Sequence, residues 1–358
     1  QGEAMEFWTS TVAAPTRAAG FAAKAQALGW DGMGVVDSQN LSGDPYVSLA
    51  MAGAGTSTLG LMTSVSNPVT RHAAATACSA LSVNKVSRGR MVLGIGRGDS
   101  ALAHLGHAPA RLNWFETYLA QVQCYLHGEA VPFSETSIPA VAAPLVSDLE
   151  LADAPAESSI GWVRDGDAVP VEVAATGAKV IGIAARHADR ILFALGAVPE
   201  RLQWGIETAR AAAEAAGRDP ASLRFGAYVN VVCDDDLIRA RQLARAGTSL
   251  FARFSVMHGK VNGPVDAAQA DVLQTIHDTY DMNKHAQAGG EQTKALTDEF
   301  LDSYAILGGA ATCIERLGVL ARLGIDKCVV SGPNLAAQGP GEDAATRFIE
   351  DVAPALRA

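Results

Sequence analysis

The clearest chemical signal in this sequence is a glycine-rich turn that ends in a carboxylate. Gly94, Gly96 and Gly98 alternate as the chain leaves an apolar run, and Asp99 follows directly. A residue without a Cβ lets a flat ligand approach the backbone closely. The turn lacks the Gly-Lys-Ser/Thr of a nucleotide phosphate loop, and its third glycine comes too early for a dinucleotide fingerprint. We predict ligand contact at Gly96 and Gly98, with a plain turn as the alternative, and a proton-carrying role for Asp99.

A second carboxylate and two histidines could serve the same ligand. Asp37 ends another apolar run, and Ser38 comes directly after it. An aspartate at such a point is either an acid, base or substrate-orienting group or only a turn residue. His104 and His107 follow Asp99 on the same predicted loop, so we predict that they contact the substrate.

A third candidate site is the junction of a predicted strand and a predicted helix at Thr176, Gly177 and Ala178. Free N–H groups at a helix start, at the positive end of the helix dipole, bind phosphate without a basic cluster. The alternative is an ordinary capped helix. The eight histidines show neither HExxH nor paired ligand spacing, so we expect no metal site.

Composition and charge favour an enzyme acting on a small molecule. Hydrophobic residues make up 49% of the 358 residues, which is enough for a large core. The net charge of −10 and the scattered lysines and arginines argue against nucleic acid or an anionic membrane as partner. The five cysteines are odd in number and widely spaced, which favours reduced thiols and a cytoplasmic location.

Short apolar strands alternate with alanine-rich helices, which is typical of parallel strands joined by helical crossovers. We predict strands at 6–11, 33–36, 59–65, 91–95, 171–175, 190–194, 223–232 and 327–331. We predict helices at 15–28, 71–82, 113–127, 177–187, 199–216, 237–246, 310–323 and 342–356. Eight such units predict an α/β fold of the (β/α)8 TIM-barrel type. An open doubly wound sheet is the competing architecture, but no glycine fingerprint follows the first strand.

Two long segments interrupt this alternation. Residues at about 128–167 are rich in proline, serine and acidic side chains, and those at about 248–305 form a longer excursion with helical patterns of its own. Loops of this length are usually lids or binding insertions. We therefore predict one barrel domain over residues 5–358 with two insertions.

Together, these features resemble the bacterial-luciferase-like superfamily of flavin and deazaflavin oxidoreductases. The closest resemblance is to its coenzyme F420-dependent branch, which is typified by methylene-tetrahydromethanopterin reductase. The resemblance covers nearly the whole chain and depends on a set of short motifs. They are Leu-Gly-Trp-Asp-Gly at 28–32, Asp37, Asp44-Pro45, Thr-Ser-Val at 63–65, Arg71-His72, Ser-Arg-Gly-Arg at 87–90, residues 93–99, 177–179, 188–189, 305–309 and 313–317.

This resemblance implies a barrel, usually dimeric, whose cofactor ring lies at the carboxyl ends of the strands. It implies a non-proline cis peptide at Ser64-Val65 that contacts and bends the ring. It also implies that Gly177 and Ala178 bind the cofactor phosphate. Asp37 would lie near the ring, and Asp99 would donate or accept a proton.

The expected activity is hydride transfer between coenzyme F420 and a small organic substrate of the alcohol, ketone, imine or pterin type. Ser38 stands where the sugar-phosphate dehydrogenases of this branch have histidine, which disfavours that substrate. Trp8 and Ser38 are further candidate substrate contacts. The alternatives are an FMN-dependent two-component monooxygenase and a barrel without catalytic activity that binds flavin or a partner protein.

Overall fold

A closed barrel of eight parallel strands forms the centre of this computed structural model, which describes residues 4–287 and 289–357. Around the barrel the strands run β1-β2-β3-β4-β7-β8-β9-β11, and β11 pairs with β1. The barrel strands are β1 Glu6–Thr11, β2 Gly32–Val35, β3 Gly60–Thr63, β4 Met91–Ile95, β7 Val171–Ala175, β8 Arg190–Phe193, β9 Arg224–Cys233 and β11 Ile325–Ser331. Positions 288 and 358 of the expected domain lie outside the described residues.

Three short strands lie outside the barrel order. β5 Val131–Pro132 and β6 Glu157–Ser158 pair in antiparallel fashion, and β10 Ile306–Gly308 pairs with the last residues of β9. The helices are α1 Pro15–Leu28, α2 Pro45–Ala54, α3 Ala73–Ser87, α4 Ser100–Ala103, α5 Leu112–Leu126, α6 Ala178–His187, α7 Pro199–Ala215, α8 Leu237–Phe254, α9 Ala267–Thr279, α10 Asp298–Tyr304, α11 Ala310–Leu323, α12 Pro340–Arg347 and α13 Ala353–Leu356. None of the helices among the described residues is both long and apolar enough to cross a bilayer.

The barrel and its eight strands are confirmed, with strand ends that differ by a few residues from the predicted ones. The predicted bounds of α1 and α11 match the structure, because a left-handed glycine ends each helix, at Gly29 and Gly324. Three helix predictions are wrong in extent. α3 runs over Ala73–Ser87 instead of 71–82. α8 continues to Phe254 instead of ending near residue 246. The closing helix is broken at Phe348–Val352 by a π-helical turn next to Pro354, which has no N–H to donate.

Side chains fill the barrel interior in layers. Trp8, Met62, Leu192, Tyr228 and Val329 form an apolar middle layer. Gly32 and Gly60 leave room for the indole, because a Cβ at either position would lie 2.4 or 2.6 Å from the Trp8 ring. The middle layer is therefore the floor of any site at the carboxyl ends of the strands.

The two long segments differ in how they pack. Residues 133–159 are almost entirely exposed apart from the small β5–β6 pair. The later segment contributes α9 and α10, which bury Leu273, Ile276, Phe300 and Leu301 against α8 in a separate apolar cluster. This second segment is thereby attached to the helix that follows β9.

Candidate active site

Asp37 lies immediately beyond β2, and its carboxylate is buried. Its Oδ2 accepts hydrogen bonds from Ser66 Oγ at 2.6 Å and from Arg71 Nη1 at 2.5 Å. The same guanidinium donates to Asp44 at 2.7 Å and lies over the Tyr46 ring. Asp37 Oδ1 is buried and has no hydrogen-bond partner within residues 4–287 and 289–357. One oxygen of this carboxylate is thus fixed, and the other lacks a hydrogen-bond donor.

Burial alone would lower the pKa of Arg71, but Asp37 and Asp44 more than offset it and raise this pKa. Arg71 therefore remains a cation next to the Asp37 carboxylate. Burial also raises the pKa of Tyr46 well above its usual range, so its hydroxyl is neutral.

Asp99 lies at the end of the glycine turn and forms a two-bond ion pair with Arg253, near the end of α8. Arg253 Nη1 and Nη2 each donate to one oxygen of the carboxylate at 2.7 Å. The guanidinium carbon lies 4.3 Å from the centre of the Tyr280 ring, and Tyr280 in turn pairs with His285 Nδ1 at 2.9 Å. Burial opposes the charge on Arg253, but Asp99 raises the pKa of this guanidinium.

A serine pair joins the loops that carry the two carboxylates. Ser38 Oγ lies 3.0 Å from Ser100 Oγ, and each serine directly follows one of the two aspartates. His104 lies on the same loop as Asp99, and its buried Nε2 has no hydrogen-bond partner in the described part of the chain. His107 is exposed, and its side chain has no hydrogen bond among those found in the described residues. The structure thus brings together the loops of Asp37, Ser38, Asp99 and His104.

The segment beyond β3 carries the expected backbone feature, because the Ser64-Val65 peptide is cis. Ser64 Oγ lies 3.1 Å from the hydroxyl of Tyr228 across the barrel. Val65 packs against the middle layer, and one of its methyl groups would lie 3.1 Å from a Cβ at Gly96. Val65 and Gly96 are therefore neighbours at the rim.

The three glycines of the turn serve different purposes. A Cβ at Gly94 would lie 2.0 Å from the carbonyl oxygen of Thr63, so this glycine admits the neighbouring strand. Gly98 has a positive φ of 89° and lies against Leu102. Only Gly96 faces the rim beside Val65, which makes it the better candidate for ligand contact.

The predicted phosphate site lies at the start of α6. Gly177 is the N-terminal capping residue and no side chain caps this helix, so its first N–H groups are unpaired within the helix. Ala178 is exposed, and Asn262 lies against Gly177. Arg201, which is 1% exposed, donates to the Asn262 carbonyl at 3.0 Å and to Ser255 Oγ at 2.8 Å.

Unpartnered polar atoms lie directly above the apolar floor. Asn230 pairs with Ser331 across β9 and β11, two residues beyond the paired Tyr228 and Val329, and therefore on the same inward face. Asn230 Nδ2 and Ser331 Oγ are both buried, and neither has a hydrogen-bond partner among the residues that the structure describes. Buried polar groups are normally hydrogen-bonded, so these atoms point to a ligand with a polar edge.

Trp8 lies deeper than the other predicted contacts. Its ring is level with Gly32 and Gly60, the first residues of β2 and β3, and Lys327 Nζ lies 3.4 Å from the centre of that ring. The substrate contact expected at Trp8 stays a prediction, and it would lie at the floor of the site.

Sequence reasoning missed four side chains at the site. They are Arg253, Tyr228, Asn230 and, in its role as the partner of Asp37, Arg71. Arg71 belongs to a motif that we recognised, and its position shortly after Ser66 could have suggested the pairing. The other three lie on β9 and near the end of α8, and no local signal in the sequence marks them.

Comparison with known proteins shows the family. The model of the luciferase-like monooxygenase family matches residues 4–327. The chain is 27% identical over 332 residues to 5,10-methylenetetrahydromethanopterin reductase from Methanolobus tindarius, covering 92% of this chain and 93% of that protein.

Solved structures share the fold. The coenzyme F420 dependent tetrahydromethanopterin reductase from Methanopyrus kandleri superposes with a TM-score of 0.72 at 18% identity over 99% of both chains. An F420-dependent secondary alcohol dehydrogenase in complex with an F420-acetone adduct gives a TM-score of 0.72 at 15% identity, over 99% of this chain and 100% of that chain. Because the family match spans most of the sequence and the barrel agrees with it, this chain belongs to the luciferase-like monooxygenase family.

Proposed function

We propose that this protein is an oxidoreductase that transfers a hydride between coenzyme F420 and a small organic substrate of the alcohol, ketone, imine or pterin type. The observation that carries the proposal is the similarity to the M. tindarius reductase, which extends over 92% of this chain. The two F420-dependent structures with the same fold support it.

The residues at the mouth of the barrel fit such a cofactor. The apolar side chains of Met62 and Val329 in the middle layer suit the face of a flat ring. The unpartnered atoms of Asn230 and Ser331 suit the polar edge of that ring. The first N–H groups of α6 suit a phosphate in a protein that is acidic overall.

When bound, the deazaflavin supplies the hydride or accepts it at C5. Ser64, Val65 and Gly96 would contact the ring and hold it at a fixed height at the rim. Holding two reacting carbons in contact geometry lowers the barrier by several kcal/mol, on the order of 7–11 at best. Asp37 would orient polar groups near the ring, and Asp99 would hold or move a proton at its carboxylate.

Substrate contacts in this proposal come from Ser38 and His104, which lie on the two joined loops. His107 is exposed and would contact only the outer part of a substrate. The proposal includes a cytoplasmic homodimer. The cytoplasmic location is supported by the five cysteines, which are all free thiols, namely Cys78, Cys124, Cys233, Cys313 and Cys328.

Titration of the purified apoprotein with F420 and, separately, with FMN tests the cofactor. We expect saturable F420 binding and negligible FMN binding, measured by the change in cofactor fluorescence. Tight FMN binding with negligible F420 binding would support the two-component monooxygenase instead. Binding of neither cofactor would instead favour a barrel without redox activity.

A further inference from the structure

Tyr228 is the side chain in the barrel that reaches the Ser64-Val65 segment from the opposite wall. It lies on β9, is 6% exposed, and its hydroxyl lies 3.1 Å from Ser64 Oγ. Ser64 comes directly after β3, which is two strands from β1 in one direction around the barrel, whereas β9 is two strands from β1 in the other, so the two strands face each other. The hydrogen bond therefore spans the barrel interior.

Ser64 is held from two further sides. Its N–H donates to the Val35 carbonyl at 2.7 Å. A Cβ at Gly34 would lie 2.7 Å from the Ser64 Cβ, so the glycine in β2 leaves just enough space for this serine. With the Tyr228 hydroxyl as a third contact, the height of Ser64 above the apolar floor is fixed.

The Tyr228 ring is itself immobilised. It stacks on Phe251 of α8 with ring centres 5.2 Å apart and an interplanar angle of 27°. Burial raises the pKa of Tyr228 well above its usual range, although the hydrogen bond to Ser64 acts in the opposite direction. The hydroxyl is therefore neutral, and it can donate to or accept from Ser64.

We propose that Tyr228 is a positioning residue that fixes the Ser64-Val65 segment at the height at which it meets the cofactor ring. This inference rests on the proposed function. Tyr228 acts through Ser64, and Phe251 maintains the orientation of the tyrosine ring. Losing the hydroxyl would leave the barrel closed but would allow the rim segment to shift.

The test is F420 affinity in Tyr228→Phe, with Tyr125→Phe as the matched control. Tyr125 is fully buried on α5 outside the barrel, and its hydroxyl bonds Ser158 Oγ at 2.8 Å. Losing one hydrogen bond that positions the segment should raise the F420 Kd about fivefold and shift the absorption spectrum of the bound cofactor. The control should bind F420 as the unmodified protein does.

A double-mutant cycle separates positioning from general packing. If Tyr228 acts through Ser64, adding Tyr228→Phe to Ser64→Ala should cause no further loss of F420 affinity. Additive losses of F420 affinity in the double variant would overturn the positioning role of Tyr228 but not the proposed function. The same holds for a Tyr228→Phe variant whose F420 Kd and spectrum are unchanged. Failure of the unmodified protein to bind F420 would overturn the proposed function as well. Ser64→Ala removes the same hydrogen bond from its half-buried end, so it provides the measurement if Tyr228→Phe does not fold.

Discussion

The two carboxylates at the mouth are held in different ways. Asp37 has one oxygen bound by Ser66 and Arg71 and one oxygen without a partner. Asp99 has both oxygens bound by Arg253. Each oxygen of Asp99 therefore already has a donor, whereas Oδ1 of Asp37 can accept a donor from a ligand without sharing it with an existing contact.

Asp99→Asn tests the proton-handling role. The amide keeps the shape of the side chain but cannot act as an acid or base, so turnover should fall by ~10²–10⁴-fold. F420 binding should survive, because no predicted cofactor contact is removed. The measurement is turnover per bound cofactor across a panel of alcohols, ketones and imines.

The matched control for this variant is Asp302→Asn. It breaks a two-bond pair with Arg241, at 3.0 and 2.5 Å, that is more exposed and lies on α10, away from the proposed site. Its turnover should remain that of the unmodified protein. Loss of F420 binding in Asp99→Asn, with unchanged turnover per bound cofactor, would contradict the proposed role.

At the scale of elements, Gly94 shows that part of the glycine turn serves strand packing. Gly94→Ala would place a methyl group 2.0 Å from the Thr63 carbonyl oxygen, between β3 and β4. We expect the free energy of unfolding to fall by about 1–3 kcal/mol, which is typical of overpacking. Urea denaturation provides the measurement.

Gly20→Ala is the control substitution for Gly94→Ala. Gly20 is an exposed residue of α1 with no atom within 4 Å of its Cβ position. Alanine is favoured over glycine inside a helix, so this variant should gain about 0.5–1 kcal/mol. A Gly94→Ala protein as stable as Gly20→Ala would show that β3 and β4 can move apart at no cost.

The sequence predicts the elements well where local chemistry decides them. Proline at the start and a left-handed glycine at the end define α1 over Pro15–Leu28. α2 was missed although similar signals were present, since Asp44 accepts hydrogen bonds from Tyr46 and Val47 and Pro45 is the first helical residue. Its short length and the serine- and glycine-rich loop before it hid these signals.

The site is less predictable because distant residues complete it. The Asp99–Arg253 pair joins positions 154 apart, and the Ser64–Tyr228 pair joins positions 164 apart. Asp37 and Asp99 could be proposed because each ends an apolar run. Their partners depend on how the barrel closes and on the extension of α8 beyond its predicted end, which packing against α9 and α10 stabilises.

At the scale of the whole molecule, a buried charge network crosses the barrel below the apolar floor. Glu172 of β7 pairs with Arg190 of β8, and it accepts a hydrogen bond from Lys327 of β11 at 2.8 Å. Glu172 and Lys327 are 1% and 0% exposed. The network thus connects three barrel strands, of which β11 closes the barrel against β1.

Glu172→Gln should destabilise the whole barrel. It leaves the buried Lys327 ammonium without a negative partner, and breaking a buried pair in this way costs ~3–5 kcal/mol. Glu116→Gln, which breaks contacts with Arg186 and His187 at the surface, should cost at most about 1 kcal/mol. The measurement is the free energy of unfolding in urea at neutral pH, and equal losses in the two variants would contradict the importance of the buried network.

The same network predicts how stability depends on pH. Burial by itself would raise the pKa of Glu172, but Lys327 and Arg190 outweigh it, so that this pKa lies below its usual value. A carboxyl group with a lowered pKa in the folded state adds stability above its unfolded pKa, about 4.3, and loses it as the pH falls through the folded pKa. Glutamine does not titrate, so the unfolding free energy of Glu172→Gln should fall less steeply than that of the unmodified protein below about pH 4. Parallel pH profiles for the two proteins would mean that Glu172 is not held as a carboxylate in the folded barrel.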